Sequence, residues 1–256
     1  MSSMSVVVHP DQQLLAEAAA ARLALRILDG QSARGQAHVV LTGGTIGIAM
    51  LRALRDAPVR DAVDWSAVHL WWGDERFLPS DDPERNETQA KEALLDSLPL
   101  DLAKVHPMPA SDGPAGDDVD AAAERYAAEL SATAHPGFAV PHFDVVLLGV
   151  GPDGHVASLF PESPGVYDER VAIGVRNSPK PPPTRVSLTF GTLNTADEIW
   201  LVVAGKDKAS VVAMALAAGA GPVQVPAAGV RGSSRTLWLV DREAAGELPA
   251  SVRALR

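Results

Sequence analysis

The chain reads as an α/β protein built on a doubly wound, mainly parallel sheet with helices on both faces. Three observations predict that class. Short apolar, β-branched runs alternate with helical patterns along the whole sequence. Several runs are apolar at consecutive positions rather than at alternate ones, as strands buried on both faces are. Polar, glycine-containing clusters follow several of the runs directly, at the carboxyl ends where open parallel sheets bind ligands. The composition agrees: 46% hydrophobic residues with only 5% aromatic suits helices packed on a buried sheet better than a sandwich.

The elements follow in order. From Gln12 to Asp29 the apolar positions Leu14, Leu15, Ala18, Ala21, Leu25 and Leu28 keep helical spacing, and Gly30 is expected to stop the run. His38 to Leu41 predicts a buried strand. It runs into Thr42-Gly43-Gly44-Thr45-Ile46-Gly47, and a helical pattern continues to Arg55. Strand, glycine turn and helix is a geometry in which backbone amides hold a phosphate. It is also that of a plain packing turn, and this one matches neither the dinucleotide fingerprint nor a P-loop.

Val68 to Trp72 is the next strand, ending in Gly73-Asp74-Glu75-Arg76-Phe77. Three charges packed directly behind an apolar strand are either site residues or a surface ion-pair cluster. Asn86, after a polar loop, is placed to cap a helix reaching Leu98. Val105 to Met108 suggests a short strand, 109–116 is turn-rich, and Asp117 to Thr133 reads as a helix with Val119, Tyr126 and Leu130 inward.

Val145 to Leu148 is apolar and too short for a helix, so it is a buried strand. Gly149, Gly151 and Pro152 break it and set Asp153 and His155 side by side at its end. Gly154 serves either a close backbone approach or a left-handed dihedral. Val171 to Val175 and Arg185 to Phe190 read as strands, separated by a stiff proline loop, 177–183, that carries Lys180. Ile199 to Val203 ends in Gly205-Lys206-Asp207-Lys208-Ala209, which opens a helix to Ala218. A strand over Leu237 to Val240 and a short helix from Arg242 finish the chain. With no repeat and no long linker, residues 1–256 are expected to form one domain.

Composition excludes several functions. The chain has no cysteine, so disulfides, thiolate chemistry and sulfur-ligated metals are impossible. No apolar stretch is long enough to span a membrane, and no basic-then-apolar leader opens the chain, so no membrane partner and a cytoplasmic location are expected. The net charge of −10 argues against nucleic acid. It leaves room for a small anion, because salt screens a distant acidic surface within roughly 8–10 Å.

Four strand ends thus bring polar groups to one sheet edge: Thr42 to Thr45, Asp74 to Arg76, Asp153 with His155, and Lys206 with Lys208. No Gly-x-Ser-x-Gly elbow and no His-x-x-x-His pair is present, so neither a serine nucleophile nor a metal is expected. The parts suit general-base catalysis on a phosphorylated small molecule, without a covalent intermediate. The other six histidines form no such constellation.

Gly149-Val150-Gly151-Pro152-Asp153-Gly154-His155-Val156-Ala157-Ser158-Leu159-Phe160-Pro161 resembles the signature of 6-phosphogluconolactonases. Thr42 to Thr45, Trp72 to Arg76 with Asn86, Pro182 to Thr189, and Gly205 with Lys208-Ala209 match the same family, in order, from Gln12 to Leu239. The resemblance implies hydrolysis of 6-phospho-D-glucono-1,5-lactone to 6-phosphogluconate in the oxidative pentose phosphate pathway, with no metal or organic cofactor. It implies a fold shared with glucosamine-6-phosphate deaminases. A monomer or small homo-oligomer is expected. It makes His155 the base that activates water, oriented by Asp153. Arg76 holds the sugar hydroxyls or the oxyanion. Arg185, Lys208 and Gly43-Gly44-Thr45 hold the phosphate, and Asp74 joins the substrate-binding set or positions Arg76. Two departures stand out. The deaminases carry a ring-opening Glu where this chain has Phe160, with Glu162 beyond Pro161. Many lactonases have Thr-Pro at Ile46-Gly47.

Overall fold

The computed structural model describes residues 2–250. Its elements are β1 (Ser3–His9), α1 (Gln12–Arg34), β2 (Ala37–Leu41), α2 (Gly44–Asp56), β3 (Val68–Trp72), β4 (Asp74–Arg76), α3 (Asn86–Ala93) and α4 (Val119–Thr133). They continue with β5 (Val145–Leu148), β6 (Ala172–Val175), β7 (Arg185–Leu188), α5 (Phe190–Leu193), β8 (Glu198–Val203), α6 (Ala209–Leu216) and β9 (Arg235–Asp241). Six strands make one sheet in the order β1-β9-β8-β5-β2-β3, every pair parallel. β2 and β5 are buried at every residue, so both faces of the sheet are covered. The expected doubly wound α/β class is what the chain adopts. No helix among the described residues is long and apolar enough to cross a membrane.

The helices show where local patterns misled. α1 passes through Gly30 to Arg34, and Gly35, at φ 74°, ends it in the left-handed conformation. Gly30 is there for closeness: a Cβ on it would lie 2.7 Å from Asp144 Oδ1. The buried stripe is Leu15, Ala19, Leu23 and Ile27 with neighbouring alanines, while Leu14 and Leu25 are exposed. α4 buries Val119, Tyr126 and Leu130 as expected. Tyr126 Oη accepts from Trp72 N at 3.0 Å and donates to Trp72 O at 3.2 Å, closing the free edge of β3 just before the charged cluster.

The cluster after β3 is a strand. β4 pairs antiparallel with β7, which pairs with β6, and the three form a small second sheet over the crevice end of the first. β7 ends at Leu188, and Phe190 already opens α5. Val105 makes one bridge to Leu70 and no strand. Arg85, not Asn86, is the residue that precedes α3, and the capping acceptor comes from far away: Glu75 Oε1 and Oε2 take the amides of Asn86 and Glu87 at 2.7 and 2.8 Å. α3 stops at Ala93, five residues short of Leu98. β1, unpredicted, pairs only with β9 as a half-exposed edge. Residues 242–248 form turns, not a helix, pinned by Ala244 N donating to Asp241 Oδ1 at 2.7 Å.

A histidine stack is built on β2 and β3, where His38 and His69 pair in register. His38 and His69 are parallel at 4.2 Å between centroids, and His69 Nδ1 is 3.0 Å from His106 Nε2. Trp71 Nε1 donates to His38 Nδ1, and His106 Nδ1 meets Glu129 Oε1. Burial pushes His38 down to about 3, helped by the charges of His69 and His106. Burial likewise pushes His69 to about 4, with His106 and Lys104 adding and Asp101 opposing. Unfolded imidazoles titrate at about 6.5, so below that pH the unfolded chain binds more protons than the folded one. The stability these buried neutral rings allow is therefore present above pH ~6.5 and is lost as pH falls towards 4. Urea unfolding at pH 7 and pH 5 should show a clear drop in midpoint at pH 5, smaller in His38→Phe; equal midpoints would contradict this reading.

Candidate active site

β2 and β5 are neighbours from which the chain winds outward in opposite directions, to β3 on one side and to β8 and β9 on the other. At such a switch point the loops leaving the carboxyl ends part and leave a crevice. A cavity of about 440 Å³ lies there. Gly43, Gly44 and Thr45 come to it from the β2–α2 turn, Asp74 and Arg76 from β4, and His155 from the loop after β5. Arg185 enters from β7 and Lys208 from the turn before α6. Eight of the nine residues singled out in the sequence therefore share one wall-to-wall space. Asp153, the ninth, is not in the wall; it stands on the far nitrogen of His155.

The β5 loop is built by its glycines. Gly151 N donates to His155 O and Gly154 N to Gly151 O, each at 2.9 Å, closing a tight turn. Gly154 serves both expected purposes: φ is 87°, and a Cβ there would lie 2.9 Å from Val211 and Val225. His155 Nδ1 lies 2.5 Å from Asp153 Oδ1. Burial raises the Asp153 carboxyl, but the hydrogen bond and charge of His155 outweigh it and hold the group at about 2. An ionised carboxylate only accepts, so Nδ1 carries the proton and Nε2 of the neutral ring keeps a lone pair. Phe160 packs against the ring at 4.6 Å.

On the β4 side, Asp74 Oδ2 accepts from Ser158 Oγ at 2.7 Å and lies 3.8 Å from Arg185 Nη1. Asn86 Nδ2 donates to Asp74 O at 2.8 Å, which turns Asn86 Oδ1 under Gly43. A Cβ on Gly43 would meet that oxygen at 1.9 Å, so only glycine fits. Arg76 bonds Glu84 O through Nη1, and its buried Nε–H has no partner among the described residues. Arg85, nine residues on, is 1% exposed and absorbed by Glu87 and Met108 O. Burial pushes Glu75 up to about 7 against the Arg85 charge and three backbone amides, and its work is to cap α3 and fix Arg76 N.

Arg185 has a second duty that the sequence did not show. Its Nε donates to Pro182 O at 3.2 Å and its Nη2 to Pro181 O and Lys180 O at 3.1 and 3.3 Å. Lys180, Asn86 and Gln12 also line the cavity and were not singled out as site residues. Lys206 is exposed and outside the cavity wall, while Lys208 Nζ lies 3.3 Å from Asp207. Asp241 anchors this rim by accepting from Gly205 N. Elsewhere, His142, Asp144 and Asp197 group with metal-like spacing at the opposite end of β5 and β8. Arg26 already occupies that spot, 2.9 Å from Asp197 and 3.5 Å from Asp144.

A switch-point crevice holding a carboxylate-paired imidazole and several cations gives this α/β protein a candidate enzyme site. The sequence model described as glucosamine-6-phosphate isomerases/6-phosphogluconolactonase matches residues 10–238, and the chain belongs to that family. It is 62% identical over 250 residues to a 6-phosphogluconolactonase of Streptomyces coelicolor, covering 96% of this chain and 95% of that protein. The solved 6-phosphogluconolactonase of Trypanosoma brucei superposes with a TM-score of 0.83 at 30% identity, covering 97% of this chain and all of the other. A monomeric glucosamine-6-phosphate deaminase superposes at 0.78 with 20% identity over 95% of this chain and all of the other, a likeness of fold alone.

Proposed function

We propose that the chain hydrolyses 6-phospho-D-glucono-1,5-lactone to 6-phosphogluconate, the reaction its named relatives imply. The observation that carries the chemistry is the Asp153–His155 pair facing a cavity lined by cations. His155 Nε2 takes a proton from water as the water oxygen bonds to the lactone carbonyl carbon. The carbonyl oxygen gains the negative charge, and Arg76, whose side chain lines the cavity, stabilises it. The ring C–O bond then breaks, and the imidazolium returns the proton to the departing ring oxygen. Asp153 stabilises the imidazolium while it lasts. Gly43, Gly44, Thr45, Arg185 and Lys208 serve the phosphate, whose binding orients the distant carbonyl. Asp74 holds Arg185 and the Ser158 turn, and so shapes the substrate wall.

The deaminase reading of the family is disfavoured by Phe160. It is 3% exposed against His155, and Glu162 is exposed and absent from the cavity wall. The position of the deaminases' glutamate is thus held by an aromatic side chain. The test is hydrolysis of freshly generated lactone, with spontaneous opening subtracted, beside ammonia release from glucosamine 6-phosphate. Lactone hydrolysis without ammonia supports the reading; ammonia release, or a rate equal to the blank, rejects it.

A further inference from the structure

Glu75 is among the most deeply buried charged residues, and its carboxylate takes no part in the proposed reaction. A carboxylate so far from water is costly to keep. Capping a helix does not by itself account for it. α1 and α4 are capped by the exposed aspartates that directly precede them, Asp11 and Asp118. α3 is a mostly polar helix of eight residues, yet its first amides go to a buried group 11 positions away.

The difference lies in what else that group holds. Glu75 Oε1 accepts from Asn86 N and from Arg76 N, each at 2.7 Å. Oε2 accepts from Glu87 N at 2.8 Å and lies 3.9 Å from Arg85 Nη2. Arg85 in turn donates through Nη1 to Arg76 O at 3.4 Å, and its Nη2 is fixed on Met108 O at 2.7 Å. The backbone of Arg76 is thus held at its N–H by Glu75 and at its carbonyl by Arg85. Strand pairing alone would hold it poorly. β4 is three residues long, and Arg76 stands opposite Arg185 in the antiparallel register with β7. Like charges that face each other across a ladder repel. At the other end of β4, Asn86 is set by Glu75 through its amide and gives Nδ2 to Asp74 O at 2.8 Å. One carboxylate therefore ties down both ends of the strand, Arg76 directly and Asp74 through Asn86.

Resting on the lactonase reading, we propose that Glu75, paired with Arg85, is a positioning residue that fixes β4 so that Arg76 is aimed at the reacting carbonyl. Glu75→Gln tests this. It keeps the shape, but its amide nitrogen cannot accept, so the three backbone amides can no longer all be served. For freshly generated 6-phosphogluconolactone, kcat should fall about 10- to 100-fold with KM within a few-fold, the scale of a reacting group displaced by about 1 Å. The decisive readout is a double-variant cycle with Arg76→Met. Once Arg76 is gone, Glu75→Gln should cost no more than about a further twofold, because both changes act through one side chain. Thermal melts establish that each variant is folded at the assay temperature. Should Glu75→Gln melt below it, Glu75→Asp carries the same cycle, since it keeps the charge beside Arg85 and is one methylene short of the α3 amides. Wild-type kcat in the folded variant overturns the proposal, and so does a loss that multiplies in full with that of Arg76→Met. A wild type no faster than spontaneous opening rejects the lactonase reading and this role with it. An active wild type with a normal Glu75 variant rejects the role alone.

Discussion

His155→Gln should lower the turnover of 6-phosphogluconolactone by about 10²–10⁴-fold, the usual loss when a general base is removed. Glutamine is chosen because its amide can still donate to Asp153, so the loop after β5 keeps its hydrogen bond. What disappears is the lone pair of Nε2. The attacking water then has no acceptor for its proton, and the departing ring oxygen has no donor. Binding of 6-phosphogluconate should hold within a few-fold, because the cations and the glycine turn proposed for the phosphate are other residues of the cavity wall. The loss must therefore sit in kcat rather than in KM. Stopped-flow rates corrected for spontaneous opening decide it. A variant within tenfold of wild type would mean that Nε2 is not the base and that the Asp153–His155 pair serves structure.

Why was so much of this site readable beforehand? Each strand-end cluster is local: an apolar run, a glycine break and the polar residues all lie within a dozen positions. Asp153, Gly154 and His155 needed nothing else. What escaped is non-local. β4 exists because Asp74 to Arg76 pair with Arg185 to Ser187, more than a hundred residues on, and neither segment announces the other. Glu75 caps α3 from outside its helix, so the local reading put Asn86 in that role. β1 was missed because an edge strand alternates little: Ser3 and Ser5 sit beside Val6 to Val8, and only β9 supplies a partner. Gly30 read as a stop because a glycine's helix-breaking tendency is local, while its closeness to Asp144 is tertiary. Arg185 was readable as a cation but not as the brace of the loop that presents Lys180.

Gly151→Ala tests how finely the base must be placed. Gly151 is not in the positive-φ region, so alanine is tolerated by its backbone. The trouble is space: the added Cβ would lie 2.0 Å from His155 Nδ1, 2.1 Å from Cε1 and 2.5 Å from Asp153 Oδ1. All three distances are far inside contact, so the imidazole and the carboxylate must both move. The pair stays chemically whole but leaves its aim on the water. A displacement of about 1 Å at a reacting group can cost about 10²-fold in rate, and that is the expected loss. Stability should fall by only about 1–3 kcal/mol, as for other overpacking changes. The double variant Gly151→Ala/His155→Gln should be no slower than His155→Gln alone, since both changes act through one nitrogen. Full additivity of the two losses would show that the glycine serves the reaction by some route other than the imidazole.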